Sequence, residues 1–142
     1  QTANVLNCCA HTKVEANTTI LNSGHSGGLI GHFFFWGELV RSFSTGRVSG
    51  GPPETQGGLV GAIAEDEPTT IIACFWDRDQ SGQPTSNGGV ELPKTTAQMR
   101  SSAIFIDADY DFENIWIAPI AGATYPSLNT LNTSETTPEP EI

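Results

Sequence analysis

Gly27-Gly28-Leu29-Ile30-Gly31 and Gly57-Gly58-Leu59-Val60-Gly61 are one five-residue phrase written twice, thirty positions apart. The echo extends outward from both copies. Val5-Leu6-Asn7-Cys8-Cys9-Ala10 lies over Leu39-Val40-Arg41-Ser42-Phe43-Ser44, and both lie over Ile71-Ile72-Ala73-Cys74-Phe75-Trp76. Thr12-Lys13-Val14 matches Gly46-Arg47-Val48, and a partial third phrase, Gly88-Gly89-Val90, follows 31 residues after Gly57. The chain thus holds about three units of roughly thirty residues, a period at which each unit buries its apolar face only by stacking on its neighbours.

Periodicity selects strands over helices. Leu59, Gly61 and Ile63 alternate with Val60, Ala62 and Ala64, and the runs opening at Leu39 and Ile71 are short, rich in β-branched and aromatic residues, and bounded by glycine or proline. No window sustains a helical apolar stripe across the repeats. The 15 glycines and 9 prolines argue the same way, since glycine costs about 1 kcal/mol and proline about 3 kcal/mol in a helix interior.

The segment Leu39 through Gly50, followed by Gly57-Gly58-Leu59-Val60-Gly61, resembles the GLUG motif of large bacterial surface and secreted proteins. The stretch beyond is similar to the end of such an array: Cys74-Phe75-Trp76-Asp77, Thr95-Thr96-Ala97-Gln98-Met99, Asp111-Phe112, Trp116 and Tyr125-Pro126-Ser127-Leu128. Arg41 and Ala73 stand where that motif commonly carries asparagine. The resemblance implies an all-β chain, a parallel β-solenoid, in which equivalent residues of successive coils lie about 4.8 Å apart. Leu29 is then expected under Leu59, Ile30 under Val60 and Val14 under Val48. The structural glycines are Gly27, Gly28, Gly31, Gly57, Gly58 and Gly61, needed either for positive φ or for close backbone approach.

The expected organisation is a repeat region over 1–92 (units 5–38, 39–70 and 71–92), a C-terminal helix and irregular cap over 93–128, and a Thr/Pro/Glu-rich linker or disordered tail over 129–142. Thr95 is a plausible N-cap, and the helix after it is expected to plug the open end of the stack. Gln1 enters almost directly into a repeat, so the chain is expected to be part of a longer secreted protein. Asn17-Thr18-Thr19 and Asn132-Thr133-Ser134 have the form of glycosylation acceptors.

Composition bounds the partners. Sixteen acidic against six basic residues give a net charge of −10, which removes the Lys/Arg footprint that nucleic acid or an anionic membrane surface requires. No apolar run reaches the length of a spanning helix, so no membrane insertion is expected. Expected partners are neighbouring domains of the same longer chain and a surface glycan or protein, in an extracellular or cell-surface setting.

Sites of chemistry are few. Cys8 and Cys74 occupy one repeat position two coils apart, about 9.6 Å, beyond the roughly 7 Å reach of a disulfide. Cys8, Cys9 and His11 are too few for a zinc site, and His25 and His32 fit no enzyme motif. Asp107, Asp109, Asp111 and Glu113 alternate, so a strand would place all four on one face as a weak calcium candidate, opposite Ile106, Ala108, Tyr110 and Phe112. The EF-hand template fails there, with Phe112 at its glycine position. Asp77 and Asp79 read as a turn. In the run Phe33-Phe34-Phe35-Trp36, alternation sends some rings outward, and Phe35 and Trp36 are candidate ligand contacts. With no catalytic residue or cofactor expected, the reading is a non-catalytic rigid stalk or adhesive scaffold. The alternative is an ancillary, carbohydrate-contacting region of a secreted polysaccharide-degrading enzyme or peptidase.

Overall fold

The computed structural model describes residues 2–16, 24–33, 36–64, 68–87 and 92–130. Strands dominate, and the chain is all-β in class. The first unit supplies β1 (Thr2–Leu6), β2 (Cys9–Ala10), β3 (Val14–Glu15), β4 (Ser26–Gly27) and β5 (Ile30–Phe33). The second supplies β6 (Trp36–Val40), β7 (Phe43–Ser44), β8 (Val48–Ser49), β9 (Gln56–Gly57) and β10 (Val60–Ile63). The third begins with β11 (Thr69–Ile72) and β12 (Phe75–Asp77), passes through helix α1 (Arg78–Ser81), and returns as β13 (Leu92–Lys94). Two short helices, α2 (Thr96–Met99) and α3 (Ala103–Asp107), and the strands β14 (Trp116–Ile117) and β15 (Ser127–Leu128) complete the described chain.

Each strand of the first unit pairs in parallel with its counterpart in the second, β1 with β6, β2 with β7, β3 with β8, β4 with β9 and β5 with β10. The third unit adds β11 to β6 and β12 to β7, and β13 pairs with β12. The register is the one read from the repeat: Val5↔Leu39↔Ile71, Cys9↔Phe43↔Phe75, Val14↔Val48, Gly27↔Gly57 and Ile30↔Val60. The resulting sheets are small, with two to four strands apiece. Among the described residues only β14 and β15, outside the repeats, run antiparallel.

A left-handed residue breaks each long strand at the same place. Asn7, Arg41 and Ala73 have φ of 52°, 46° and 55°. In the next position, Cys8, Ser42 and Cys74 each donate a side-chain hydrogen bond to the carbonyl two residues earlier, on Leu6, Val40 and Ile72, at 3.4, 3.0 and 3.2 Å. This repeated corner re-aims the chain without ending the ladder, because Asn7 N–H still donates to Val40 and Arg41 N–H to Ile72.

The phrase glycines serve close approach, since none of the six is among the residues of positive φ. A Cβ on Gly58 would fall inside the indole of Trp76, and one on Gly28 would lie 2.7 Å from Ser44 Oγ. Leu29 and Ile30 both donate backbone hydrogen bonds to the Leu59 carbonyl, which holds the two phrases one above the other.

Two apolar clusters share one sheet. Leu39, Ile71, Leu59, Val60, Phe33, Cys74 and Trp76 form the first, with Val5, Leu29, Ile30 and Ile63 packed against it. Phe43, Phe75, Met99, Phe105, Tyr110 and Trp116 form the second. Alternation explains the division: in β12, Phe75 faces the second cluster and Trp76 the first. The sheet of β2, β7, β12 and β13 is therefore covered on both faces, and β12 reads as a continuous apolar run ending in Asp77.

The segment after β13 packs against the repeats. Thr95 does cap α2, in a reciprocal capping box with Gln98. Met99 of α2 and Phe105 of α3 pack on the face of the sheet that carries Phe43 and Phe75. Phe105 and Trp116 pack on Phe43, Phe105 also on Phe75, and Tyr125 reaches His11 of the first unit at 5.7 Å between rings. The physical reason is the row Cys9, Phe43, Phe75, an apolar stripe pointing away from the first cluster that needs its own cover. The partial phrase at Gly88-Gly89-Val90, both glycosylation sequons, the tail beyond Thr130 and Phe35 lie outside the described residues.

Candidate functional site

The sheet of β1, β6 and β11 has one covered and one open face. Gly37 and Leu39 of β6 turn inward, Leu39 completely buried, while Trp36 and Glu38 turn outward. Register then brings Thr2 beside Trp36, and Asn4, Glu38 and Thr70 into one row across three strands. A shallow groove on this face is lined by Trp36, Glu38, Asn4, Thr70, Thr2 and Pro68. Trp36 is 55% exposed, whereas Trp76 and Trp116 are 2% and 1% exposed. Of the two aromatic candidates, the structure thus places Trp36 in a groove with polar neighbours. A second row on the same face, Leu6, Val40 and Ile72, leaves Leu6 and Ile72 about half exposed.

The acidic candidates are arranged differently from the strand expected. Asp107 ends helix α3, Asp109 has φ of 57°, and residues 112–115 form turns. Asp111 caps the turn, its Oδ1 accepting from the backbone N–H of Glu113 and Asn114 at 2.9 Å each. Those bonds, with the Asn114 side-chain amide foremost, hold the Asp111 carboxyl below the usual aspartate range. Among the described residues no group of three or more His, Cys, Asp or Glu side chains is placed to hold a metal ion. The alternation that suggested a strand arises because Ala108, Tyr110 and Phe112 pack inward from a helix end and a turn.

All three cysteines are free thiols. Burial, then the neighbouring Cys8, pushes the Cys9 thiol upward. His11 Nδ1 lies 2.7 Å from Thr45 Oγ1, and burial lowers its pKa. The rings of His25 and His32 sit 4.5 Å apart, and burial followed by His25 lowers the pKa of His32.

Asp77 is the polar centre that sequence reading passed over as a turn. It is completely buried. Oδ1 accepts from the backbone N–H of Asp79 and Gln80 at 3.0 Å and from Thr96 Oγ1 at 2.9 Å, and Oδ2 accepts from the Tyr125 hydroxyl at 2.7 Å. One carboxylate thus joins β12, α1, α2 and the C-terminal segment. Burial, then the bond to Asp77, raises the pKa of Tyr125, whose ring also lies 4.9 Å from the Arg100 guanidinium. The available signal was an aspartate directly before Arg78-Asp79-Gln80-Ser81, the N-cap position of a short helix.

No family model matches the chain, and no solved structure matches it. A protein of Evansella cellulosilytica, provisionally named a Gly-rich membrane protein, is 35% identical over 115 residues. The aligned part is 80% of this chain and 13% of that relative, so the chain spans a small fraction of the relative's length. Among the described residues, no helix is long and apolar enough to cross a membrane.

Proposed function

We propose that the parallel sheets are successive faces of a single β-solenoid, and that the segment is a non-catalytic, rigid scaffold within a longer secreted or cell-surface protein. The observation that carries this reading is the shared register, in which five strand pairs join the same two units in the same order. A chain paired this way has its length fixed by hydrogen-bond ladders and stacked side chains, which suits a spacer. The match to a small part of a much longer relative supports a modular role. The most buried carboxylate among the described residues supports a non-catalytic one, because Asp77 commits both oxygens to bonds that hold elements together.

The test is mechanical. The full chain, held by handles at its two ends, is stretched in a force spectrometer. A scaffold of stacked units keeps its length until it ruptures in one or a few cooperative steps. Smooth extension from low force onward would rule the scaffold out.

A further inference from the structure

The open groove on the β1, β6 and β11 sheet has a chemistry of its own. Trp36 presents a large flat ring to solvent while its two fellow tryptophans are buried. Around it stand one carboxylate, Glu38, one amide, Asn4, and the hydroxyls of Thr2 and Thr70, with Pro68 on the rim. The polar groups and Trp36 project from neighbouring strands whose hydrogen bonds fix their spacing. The backbone of this surface is fixed by the ladder, so binding has only side chains to order.

We propose that this groove binds an uncharged polysaccharide chain, one sugar ring lying on Trp36. Sugar rings carry apolar C–H faces and a rim of hydroxyls. An exposed indole supplies the complementary flat apolar surface. The amide, carboxylate and hydroxyls beside it supply donors and acceptors for the rim, and a carboxylate accepting from a hydroxyl makes the stronger, charge-assisted kind of bond. Charge selects the class of glycan. Among the described residues, Glu38 is the only ionisable one lining the groove, and the whole chain carries a net charge of −10, so an acidic polysaccharide is repelled at the site and at long range. A nucleic acid is refused for the same reason. The inference stands apart from the scaffold reading, since it needs only the one sheet.

Trp36 also provides the test. Because Trp76 and Trp116 are buried, acrylamide quenching of the intact chain reports mainly on Trp36. The probes are uncharged hexasaccharides of glucan, xylan, mannan and chitin, with a polygalacturonate oligomer as the acidic comparison. Shielding of the fluorescence by at least one uncharged probe is expected, with matching heat of binding by calorimetry. Trp36→Ala should weaken that binding about tenfold or more, Trp36→Phe should retain part of it, and Glu38→Ala should weaken it. All three changes lie on the open face and should leave the melting temperature in place. Failure of every uncharged probe to shield Trp36 would overturn the proposal, as would binding that survives Trp36→Ala or equal binding of the acidic oligomer. None of these outcomes bears on the force measurement, so the two readings fail separately.

Discussion

Asn7, Arg41 and Ala73 occupy one position in three successive units and share one unusual backbone conformation, with φ between 46° and 55°. Asparagine tolerates the left-handed region better than most residues, whereas arginine and alanine hold it at a cost of about 1 kcal/mol or more. Ala73→Gly should therefore raise stability by about 0.5–1 kcal/mol, and Asn7→Ala should lower it by about 1 kcal/mol, both read from urea midpoints. Gly58 is constrained by space and not by φ. Gly58→Ala should cost about 3 kcal/mol, because the added methyl meets the rigid indole of Trp76. A third residue-scale expectation concerns acid. The folded pKa of His11 lies below its unfolded value of about 6.5. The unfolded chain therefore takes up a proton more readily. That stability is fully present above pH of about 6.5 and is lost as pH falls below it. The melting temperature should fall between pH 7.5 and 5, and His11→Gln should flatten the slope.

At the scale of elements, the strands and the Thr95-capped helix α2 were the legible part, and α1 and α3 the illegible one. Repetition reveals strand register, because residues at equivalent positions have similar size and polarity: Val5, Leu39 and Ile71 inward, Leu6, Val40 and Ile72 outward. Nothing repeats after β13. Over 106–113 an alternating pattern fits a strand as well as a helix end followed by a turn, and long-range packing of Phe105 and Tyr110 decides between them. The groove around Trp36 was legible only as an outward-facing aromatic, since most of its polar neighbours come from β1 and β11. Asp77 was hidden because its partners Thr96 and Tyr125 are 19 and 48 residues away. With its bonds in view, Asp77→Ala should be severe. It removes a helix cap worth about 1 kcal/mol and strands the Tyr125 and Thr96 hydroxyls at a further cost of about 1–3 kcal/mol. Thermal unfolding should show the loss, and Asp77→Asn, which keeps an acceptor, should recover part of it.

For the whole molecule, the arrangement of the two clusters decides how the chain unfolds. They are separated only by the thickness of the sheet carrying β7 and β12, so Phe43 and Phe75 on one side and Cys74 and Trp76 on the other hang from the same backbone. Repeat arrays ordinarily open unit by unit, because each unit touches only its neighbours. Here the C-terminal segment crosses that division: Trp116 packs on Phe43 of the second unit, Phe105 on Phe75 of the third, and Tyr125 meets His11 of the first. A flank that grips all three units should couple their opening. Trp116→Ala deletes a large, fully buried side chain and should cost about 3–5 kcal/mol. If the coupling holds, the loss will spread beyond the flank. Hydrogen exchange should show reduced protection at the amides of Phe43 and Phe75 and, by a similar factor, at Leu39 and Ile71, which Trp116 does not touch. If the amides of β6 and β11 keep wild-type protection while those of β7 and β12 exchange freely, the units open independently and the flank is only a cover.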